Sequence, residues 1–590
     1  MAAELDSQPK SVQSIYTWFS ENKLHVNRRY QRKLVWTTDE KQRLVESILK
    51  RYPVPAILLA EKGTGDYEII DGLQRLHTIV SFIETSFATL DGKRFDVAQF
   101  PTAKTRSDDN AFKITAVGGE GVLSPREVST FLDYSMAISV MRGATEPEID
   151  DVFSRINTYG HRLSDQERRQ AGVQDDFSQL VRDLACQIRG DASSNILPLG
   201  MMPSISIDLP MTKQGYDVVA DEVFWVSQGI LRSTDLRDSM DEQCLADIAA
   251  SVVGGQIVER SKEELDNVYE DGHPENLRID AALSAYGSER FAVELKFCID
   301  EILKVCEEGT SKKLRDIIFT KRTSNQFPSA FAVLVIALHE ALIGEKKKIS
   351  DYAGVKKALE GLYDRIDTSR KSTAPEERRK NVDTIKGLIG SHLVAGSITL
   401  VYGAHSTMDI DAALRRSEIE LPHYELKQGR LRLDTQRSVD PEMVAKVVKT
   451  ACAMANNGKL ITGTILIGIT DKESDAVKIA ALDGITPRKV GKRFVVGVSR
   501  EAKVLGISAE DYYGQWKSAM KNSGLSEALK SALLSSMDYN DYFGLGVISI
   551  SVPAQTGVSF VDDTAYWRSG DETVAATGGP KVAELAMRFA

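Results

Sequence analysis

The segment that most constrains the fold runs from Tyr67 to Ile83. Tyr67-Glu68-Ile69-Ile70 is a short apolar strand, Asp71-Gly72 interrupts it, and an apolar-periodic helix follows from about Arg75 to Ile83. A strand that turns directly into a helix brings free backbone N–H groups to one point, and such a corner suits phosphate oxygens. Just upstream, Ala56-Ile57-Leu58-Leu59 is a second apolar run, joined to the first through Gly63-Thr64-Gly65-Asp66. That joint is hairpin chemistry, so residues 56–83 predict two paired strands feeding a helix.

The flanking residues extend this pattern. Val12, Ile15, Trp18 and Phe19 recur at helical spacing, and Leu24-His25-Val26 reads as a strand. A helix is predicted over Thr38 to Tyr52, capped by Thr37 or Thr38, with Leu44, Ile48 and Leu49 as its apolar stripe and Pro53 and Pro55 ending it. Between strand and helix lies the basic run Asn27-Arg28-Arg29-Tyr30-Gln31-Arg32-Lys33. Residues 86–130 read as a strand-rich, Gly-containing elaboration. Glu146 to Ile156 reads as a helix that leads into the turn Asn157-Thr158-Tyr159-Gly160 and a capped helix near Ser164.

At 590 residues the chain exceeds one ordinary core and calls for roughly three or four units. Its 42% hydrophobic and 27% charged residues belong to packed globular domains. The first residues lack a secretory pattern and no later stretch is long and apolar enough to span a membrane, so a cytoplasmic location and no membrane partner are expected. Five scattered cysteines argue for buried free thiols over disulfides or a Cys-x-x-Cys site. A net charge of −10 excludes indiscriminate coating of nucleic acid but allows a local basic groove, because phosphate follows the local field.

From about 165 to 385 the pattern is mostly helical, as in Phe291, Leu295, Cys298, Ile299 and Ile302. Asp367 to Lys380 has no large apolar residue and reads as an exposed connection. Beyond Leu393 come strands and Gly-rich turns, Ile461 to Thr470, Phe494 to Val498 and Leu545 to Val552, interleaved with helices Val444 to Ala455 and Ala509 to Ser523. No internal repeat recurs along the chain, which excludes a solenoid.

Three N-terminal stretches together resemble the GmrSD N-terminal family. They are Tyr30-Gln31-Arg32 with Trp36; Ile70-Asp71-Gly72-Leu73-Gln74-Arg75; and Phe153-Ser154-Arg155-Ile156-Asn157-Thr158 continuing through Gly160, Leu163, Gln166, Glu167 and Arg169. The resemblance implies a ParB-like fold and a sensor of modified phage DNA coupled to a nucleoside triphosphate. On it, Gln31, Arg32, Asp71, Gln74, Arg75 and Asn157 are the nucleotide-binding candidates, with Asp71 also a catalytic candidate for hydrolysis. Leu73 stands where the family has a glutamine. From the residues alone, Arg75 and Gln74 at a helix start can hold phosphate. The alternative is that Asp71 caps the helix while Arg75 pairs with a carboxylate such as Glu167. Arg28, Arg29, Tyr30 and Trp36 are candidates for DNA contact, against a plain solvated basic face.

A second set of residues resembles the AlbA-type domain of the Schlafen family. It comprises Glu420, Glu425-Leu426-Lys427, Ala453-Met454-Ala455-Asn456-Asn457-Gly458, Gly463 to Asp471, and Tyr566-Trp567-Arg568-Ser569-Gly570-Asp571. The resemblance implies nucleic-acid binding through Lys427 and Arg568. It also implies a catalytic and metal set of Glu420, Glu425 and Asp471 for Mg²⁺ or Mn²⁺, since three carboxylates suit a hard cation that activates water. An insertion, Gly429-Arg430-Leu431-Arg432-Leu433, and Asn457-Gly458-Lys459 depart from that family's pattern. The same carboxylates on alternating strands would otherwise be exposed faces, and Arg568 would otherwise stack on Trp567. The eight histidines form no His-Asn-His finger, which leaves the C-terminal domain as the natural effector.

The expected fold class is therefore multidomain α/β and α. It comprises a ParB-like α+β domain over 1–170, a helical domain over 171–385 and a Schlafen AlbA-like α/β domain over 395–590. The expected function is an antiphage or restriction protein, with NTPase and metal-dependent nuclease activity as its candidate chemistries and DNA, modified phage DNA or RNA as partner. A homo-oligomer is open. The alternative is a non-catalytic DNA-binding or adaptor protein regulated by nucleotide.

Overall fold

The computed structural model describes residues 4–28, 34, 36–63, 65–108, 112, 114, 121–159, 164–170, 175–190, 196–202, 204–206, 217–396, 407–417, 423–459, 461–569 and 572–589. The chain divides into two compact units, Met1–Leu400 and Val401–Ala590, both of mixed α and β structure.

The first unit opens on a six-stranded mixed sheet. Its strands are β1 (Glu4–Ser11), β2 (Leu24–Asn27), β3 (Ile57–Lys62), β4 (Asp66–Asp71), β5 (Ser135–Arg142) and β6 (Ile196–Pro198). They lie in the order β1-β5-β3-β4-β2-β6. The expected hairpin is β3 and β4, antiparallel from Leu58↔Asp71 to Lys62↔Asp66. Helix α1 (Val12–Ser20) starts where the Ser11 side chain accepts from Ser14 N–H. Helix α2 (Thr38–Leu49) starts in a capping box of Thr37 and Glu40, which satisfies two helix-end donors at once. Helix α3 (Leu73–Ile83) buries Leu73, Leu76, Ile79, Val80, Phe82 and Ile83. Those side chains meet Ile15, Phe19, Ile48, Ile57 and Ile69 in one core against the sheet.

The stretch 86–130 departs from its strand-rich reading. Its described residues form α4 (Pro101–Asp108) and α5 (Pro125–Leu132), and contribute only the bridge Arg94↔Val122 to β structure. Ser124 and Glu127 make a capping box, with Pro125 in the first turn of α5. The aromatic residues gather instead around Phe82, with Phe131 at 5.1 Å and Phe95 at 6.0 Å between ring centroids. Helices α6 (Glu146–Tyr159), α7 (Asp165–Gln170) and α8 (Asp176–Arg189) follow.

A helical body completes the first unit. It includes α9 (Met240–Val253), α10 (Ser288–Glu307), α11 (Pro328–His339) and α12 (Pro375–Ile389). Helix α11 is buried nearly all round, as its uninterrupted apolar sequence requires, and it packs against α9, α10 and α12. Helix α10 buries Phe291, Leu295, Cys298, Ile299 and Ile302 as its periodicity predicts. The expected exposed connection over 367–380 is instead a short turn, Arg370–Thr373, and the start of α12. Its Arg378 is 2% exposed, pairs with Asp247 of α9 at 2.7 Å and donates to the Val258 carbonyl. Charge-rich composition marks solvent only where charges lack buried partners, and Asp247 is such a partner.

The second unit is built on a four-stranded sheet. Its strands are β7 (Tyr424–Lys427), β8 (Gly463–Ile467), β12 (Met537–Asn540) and β13 (Val547–Val552), ordered β7-β8-β13-β12. Between β8 and β12 come β9 (Ile469–Thr470), β10 (Arg488–Val490) and β11 (Arg493–Val495), a second sheet ordered β9-β11-β10. Strand β7 runs parallel to β8, Tyr424↔Thr464 to Lys427↔Ile467. Helix α14 (Met443–Ala455) links the two, as a parallel pair demands. Ile465 and Ile467 face α14 and α17 (Ala509–Lys521), while Leu466 faces α13 (Thr407–Arg416). The alternation follows from the two-residue period of a strand.

Helix α15 (Glu473–Asp483) packs on the second sheet, and α16 (Ser499–Leu505), which follows that sheet in the chain, packs against α17. Glu501 of α16 is fully buried. It accepts from Arg430 N–H at 2.7 Å, Leu431 N–H at 3.1 Å and the Tyr512 hydroxyl at 2.6 Å. A Cβ on Gly429 would lie 2.1 Å from its Oε1. The segment Gly429 to Leu433 is thus tied into the body of this unit. A terminal hairpin, β14 (Tyr566–Ser569) and β15 (Glu572–Ala575), packs on α14. All five cysteines are free and buried, and among the described residues no helix is long and apolar enough to cross a membrane.

Candidate functional site

Strand β4 ends at Asp71 and α3 begins at Leu73, so the whole change of direction falls on Gly72. Its φ of +100° lies in the left-handed region, and a Cβ there would stand 2.9 Å from Cγ1 of the buried Ile57. Only glycine fits without strain. Gly72 also serves as the N-cap without a capping side chain.

Asp71 does not cap the helix. Its Oδ2 accepts from Arg75 at 2.8 Å, one helical turn on, and the same guanidinium nitrogen donates to the Ala56 carbonyl at 3.0 Å. Asp71 keeps 44% of its side chain exposed while Arg75 keeps 15%. The Arg75 Nε is buried with no hydrogen-bond partner. That leaves one buried donor of the guanidinium unused while its charge is balanced by Asp71. Glu167 takes no part with Arg75; it forms a capping box with Ser164 at the start of α7.

Gln74 accepts from the Trp36 backbone N–H at 3.3 Å, which joins the second sequence stretch to the residues after the basic run. Trp36 itself packs half-buried against the N-terminal core. Leu73 is 3% exposed and belongs to that core. The position where this chain departs from the family pattern therefore seats a packing side chain. Arg28 is turned inward, donating to the sulfur atoms of Met202 and Cys186 at 3.4 Å each. Arg29, Tyr30, Gln31, Arg32 and Lys33 lie outside the described residues, as does the side chain of Asn157 in the last turn of α6.

In the second unit Glu425 sits on β7, 14% exposed, between two cations. One carboxylate oxygen pairs with Lys427 and the other accepts from Arg568 at 2.9 Å. Arg568 arrives on β14 and is 2% exposed. It also donates to the Thr573 hydroxyl at 3.1 Å, which bonds Thr450 of α14. The cation over the Trp567 ring is Lys581, 4.0 Å from its centroid, not Arg568. Burial holds the neighbouring His423 imidazole below its ordinary pKa, and Arg568 adds to that. Asp471 is exposed just after β9, and Glu420 lies outside the described residues.

Among the described residues no group of three or more His, Cys, Asp and Glu side chains is arranged to hold a metal ion. A carboxylate already neutralised by an arginine and a lysine does not suit a divalent cation in the same place. The geometry describes a buried, hydrogen-bonded ion triad. The sequence did not foretell Arg568 and Thr573 as its partners, because more than a hundred residues separate them from Glu425 and no local pattern marks the pairing.

Residues 15–173 match the family model for the GmrSD restriction endonuclease, N-terminal domain. That span contains β2 to β5 and the whole Asp71–Arg75 corner. Comparison with curated proteins and with solved structures found no match.

Proposed function

We propose that the chain is a restriction-type antiphage protein in which a nucleoside triphosphate held at the Asp71–Arg75 corner licenses the C-terminal unit to act on phage DNA. The observation that carries this reading is the match of residues 15–173 to a restriction endonuclease N-terminal domain, with the Asp71–Arg75 corner inside it. Arg75 and the start of α3 would hold the phosphates, and the exposed Asp71 would position a water or a phosphate-bound divalent ion. Bound there, the nucleotide supplies a hydrolysable anhydride. Arg75 must exchange some of its bond to Asp71 for phosphate, which couples occupancy of the corner to the strand–helix joint.

The ParB-like reading of the first unit and the AlbA-like reading of the second belong to this proposal. The β7-α14-β8 crossover and the Lys427 and Arg568 cations support the latter. Titration calorimetry with ATP, GTP and their non-hydrolysable analogues tests the corner. Arg75→Ala should bind at least about tenfold more weakly, the loss of one charge-assisted contact. Affinity equal to wild type would remove Arg75 from the site. A second reading, a DNA-binding or adaptor protein that does not cut, is favoured by the double neutralisation of Glu425.

A further inference from the structure

The second unit is neutral, with 23 Lys and Arg against 23 Asp and Glu over residues 401–590, yet its charge is unevenly placed. From Gly484 to Arg500 there are five cations and no carboxylate. Four of them, Arg488, Lys489, Lys492 and Arg493, sit on the β10–β11 hairpin, whose tight turn is Gly491-Lys492 with Gly491 at φ +57°. Strand β10 is the outer strand of its sheet. Val490 and Val495 anchor the hairpin in the core beneath α13, so its cations cannot turn inward as a group. Arg493 is fixed to the Ser417 carbonyl at the end of α13, and Lys489 and Lys492 are exposed.

A strained turn stands against the same edge. Tyr542 and Phe543 both have positive φ, +40° and +55°, an uncommon pair for bulky residues. The turn places the Phe543 ring under the Arg488 guanidinium at 3.9 Å. Burial and Asp411 push the Tyr542 hydroxyl well up, while Arg488 and Arg415 oppose them, which puts Arg415 beside this group too. The hairpin also adjoins the strand of Glu425, since Gly468 N–H donates to the Lys427 carbonyl at 2.7 Å where β8 passes into β9.

We infer that the β10–β11 hairpin is a contact surface for the DNA phosphate backbone, with Lys489 and Lys492 as its phosphate-binding side chains and the Arg488–Phe543 stack as its rigid base. A cationic hairpin anchored in the core and fixed from below holds its charges at set spacing, and phosphate contacts position a strand without reading its sequence. The inference rests on the proposed action of this unit on nucleic acid.

The test is fluorescence anisotropy of the full chain with a labelled 30-base-pair duplex and with its single strand, over a range of salt. Lys489→Glu with Lys492→Glu should weaken binding roughly tenfold or more and flatten the logarithmic salt dependence by about two phosphate contacts. Lys503→Glu with Lys521→Glu, exposed on α16 and α17, makes the same change in net charge and should leave both quantities near wild type. If the two double variants bind alike, the hairpin assignment is wrong while the nucleic-acid reading stands. Wild-type protein that binds neither DNA overturns both.

Discussion

Gly72→Ala is the sharpest test of the corner, because both of its costs come from the backbone and one neighbour. A left-handed φ costs an alanine about 1–2 kcal/mol. Its Cβ, 2.9 Å from Cγ1 and 3.2 Å from Cγ2 of Ile57, adds about 1–3 kcal/mol of overpacking. The stiffer unfolded chain returns about 0.4–1 kcal/mol. The net expectation is a loss of about 1–4.6 kcal/mol. A chain with several cores does not unfold in one step, so the readout should be native-state hydrogen exchange of the Leu73–Ile83 amides. At tenfold for every 1.4 kcal/mol they should exchange about 5- to 2,000-fold faster. Adding Ile57→Ala removes the contact but not the φ strain, so the pair should be non-additive by about 1–3 kcal/mol. Exchange within threefold of wild type in the single variant, or strict additivity in the pair, would refute the reasoning.

Two further expectations concern carboxylates. Burial alone would raise the Glu294 carboxyl, but hydrogen bonds from His339, Tyr286 and Arg290 outweigh it and hold the pKa at about 2. A depressed acid stabilises the fold above its unfolded value and loses that contribution as pH falls toward 2. Wild-type protein should therefore weaken by about 3 kcal/mol between pH 5 and pH 2 through this group. Glu294→Gln should be weaker at pH 7 and lack that component, as native-state hydrogen exchange of the Ser288–Glu307 amides at successive pH values would show. For Glu425, incubation of modified and unmodified DNA with Mn²⁺ and each nucleotide separates cutting from binding. Cleavage that Glu425→Gln abolishes would overturn the reading of Glu425 as a structural ion triad, whereas intact substrate with wild-type protein would leave the binding reading alone standing.

Much of the N-terminal fold was legible because each element announces itself locally. Thr37 and Glu40 mark the start of α2, Gly63 to Asp66 the hairpin, and Asp71-Gly72 the turn into α3. The pairing of Asp71 with Arg75 was not legible, because Asp71 ends a strand and the Gly72 turn decides what it meets. What failed locally depended on distant partners. Arg378 looked solvated until Asp247 supplied a buried counter-charge. The contacts of Arg28 with the sulfur atoms of Met202 and Cys186 likewise join residues more than 150 positions apart. The strand-rich reading of 86–130 failed because its aromatic residues answer to Phe82, not to a sheet. In the second unit the motif around Glu425 was visible, but not the hairpin that brings Arg568 over it.

The anchorage of Gly429 to Leu433 by Glu501 bears on how this protein can vary. Deleting the segment around Gly429 to Leu433 would leave a fully buried carboxylate without its two backbone donors, a fault that removal of a surface loop would not cause. Equally, an apolar side chain at 501 would orphan two amides. Loop and glutamate are therefore heritable as a pair. Homologues should carry both or neither, which makes their joint presence a marker for tracing where this lineage of the C-terminal unit branched.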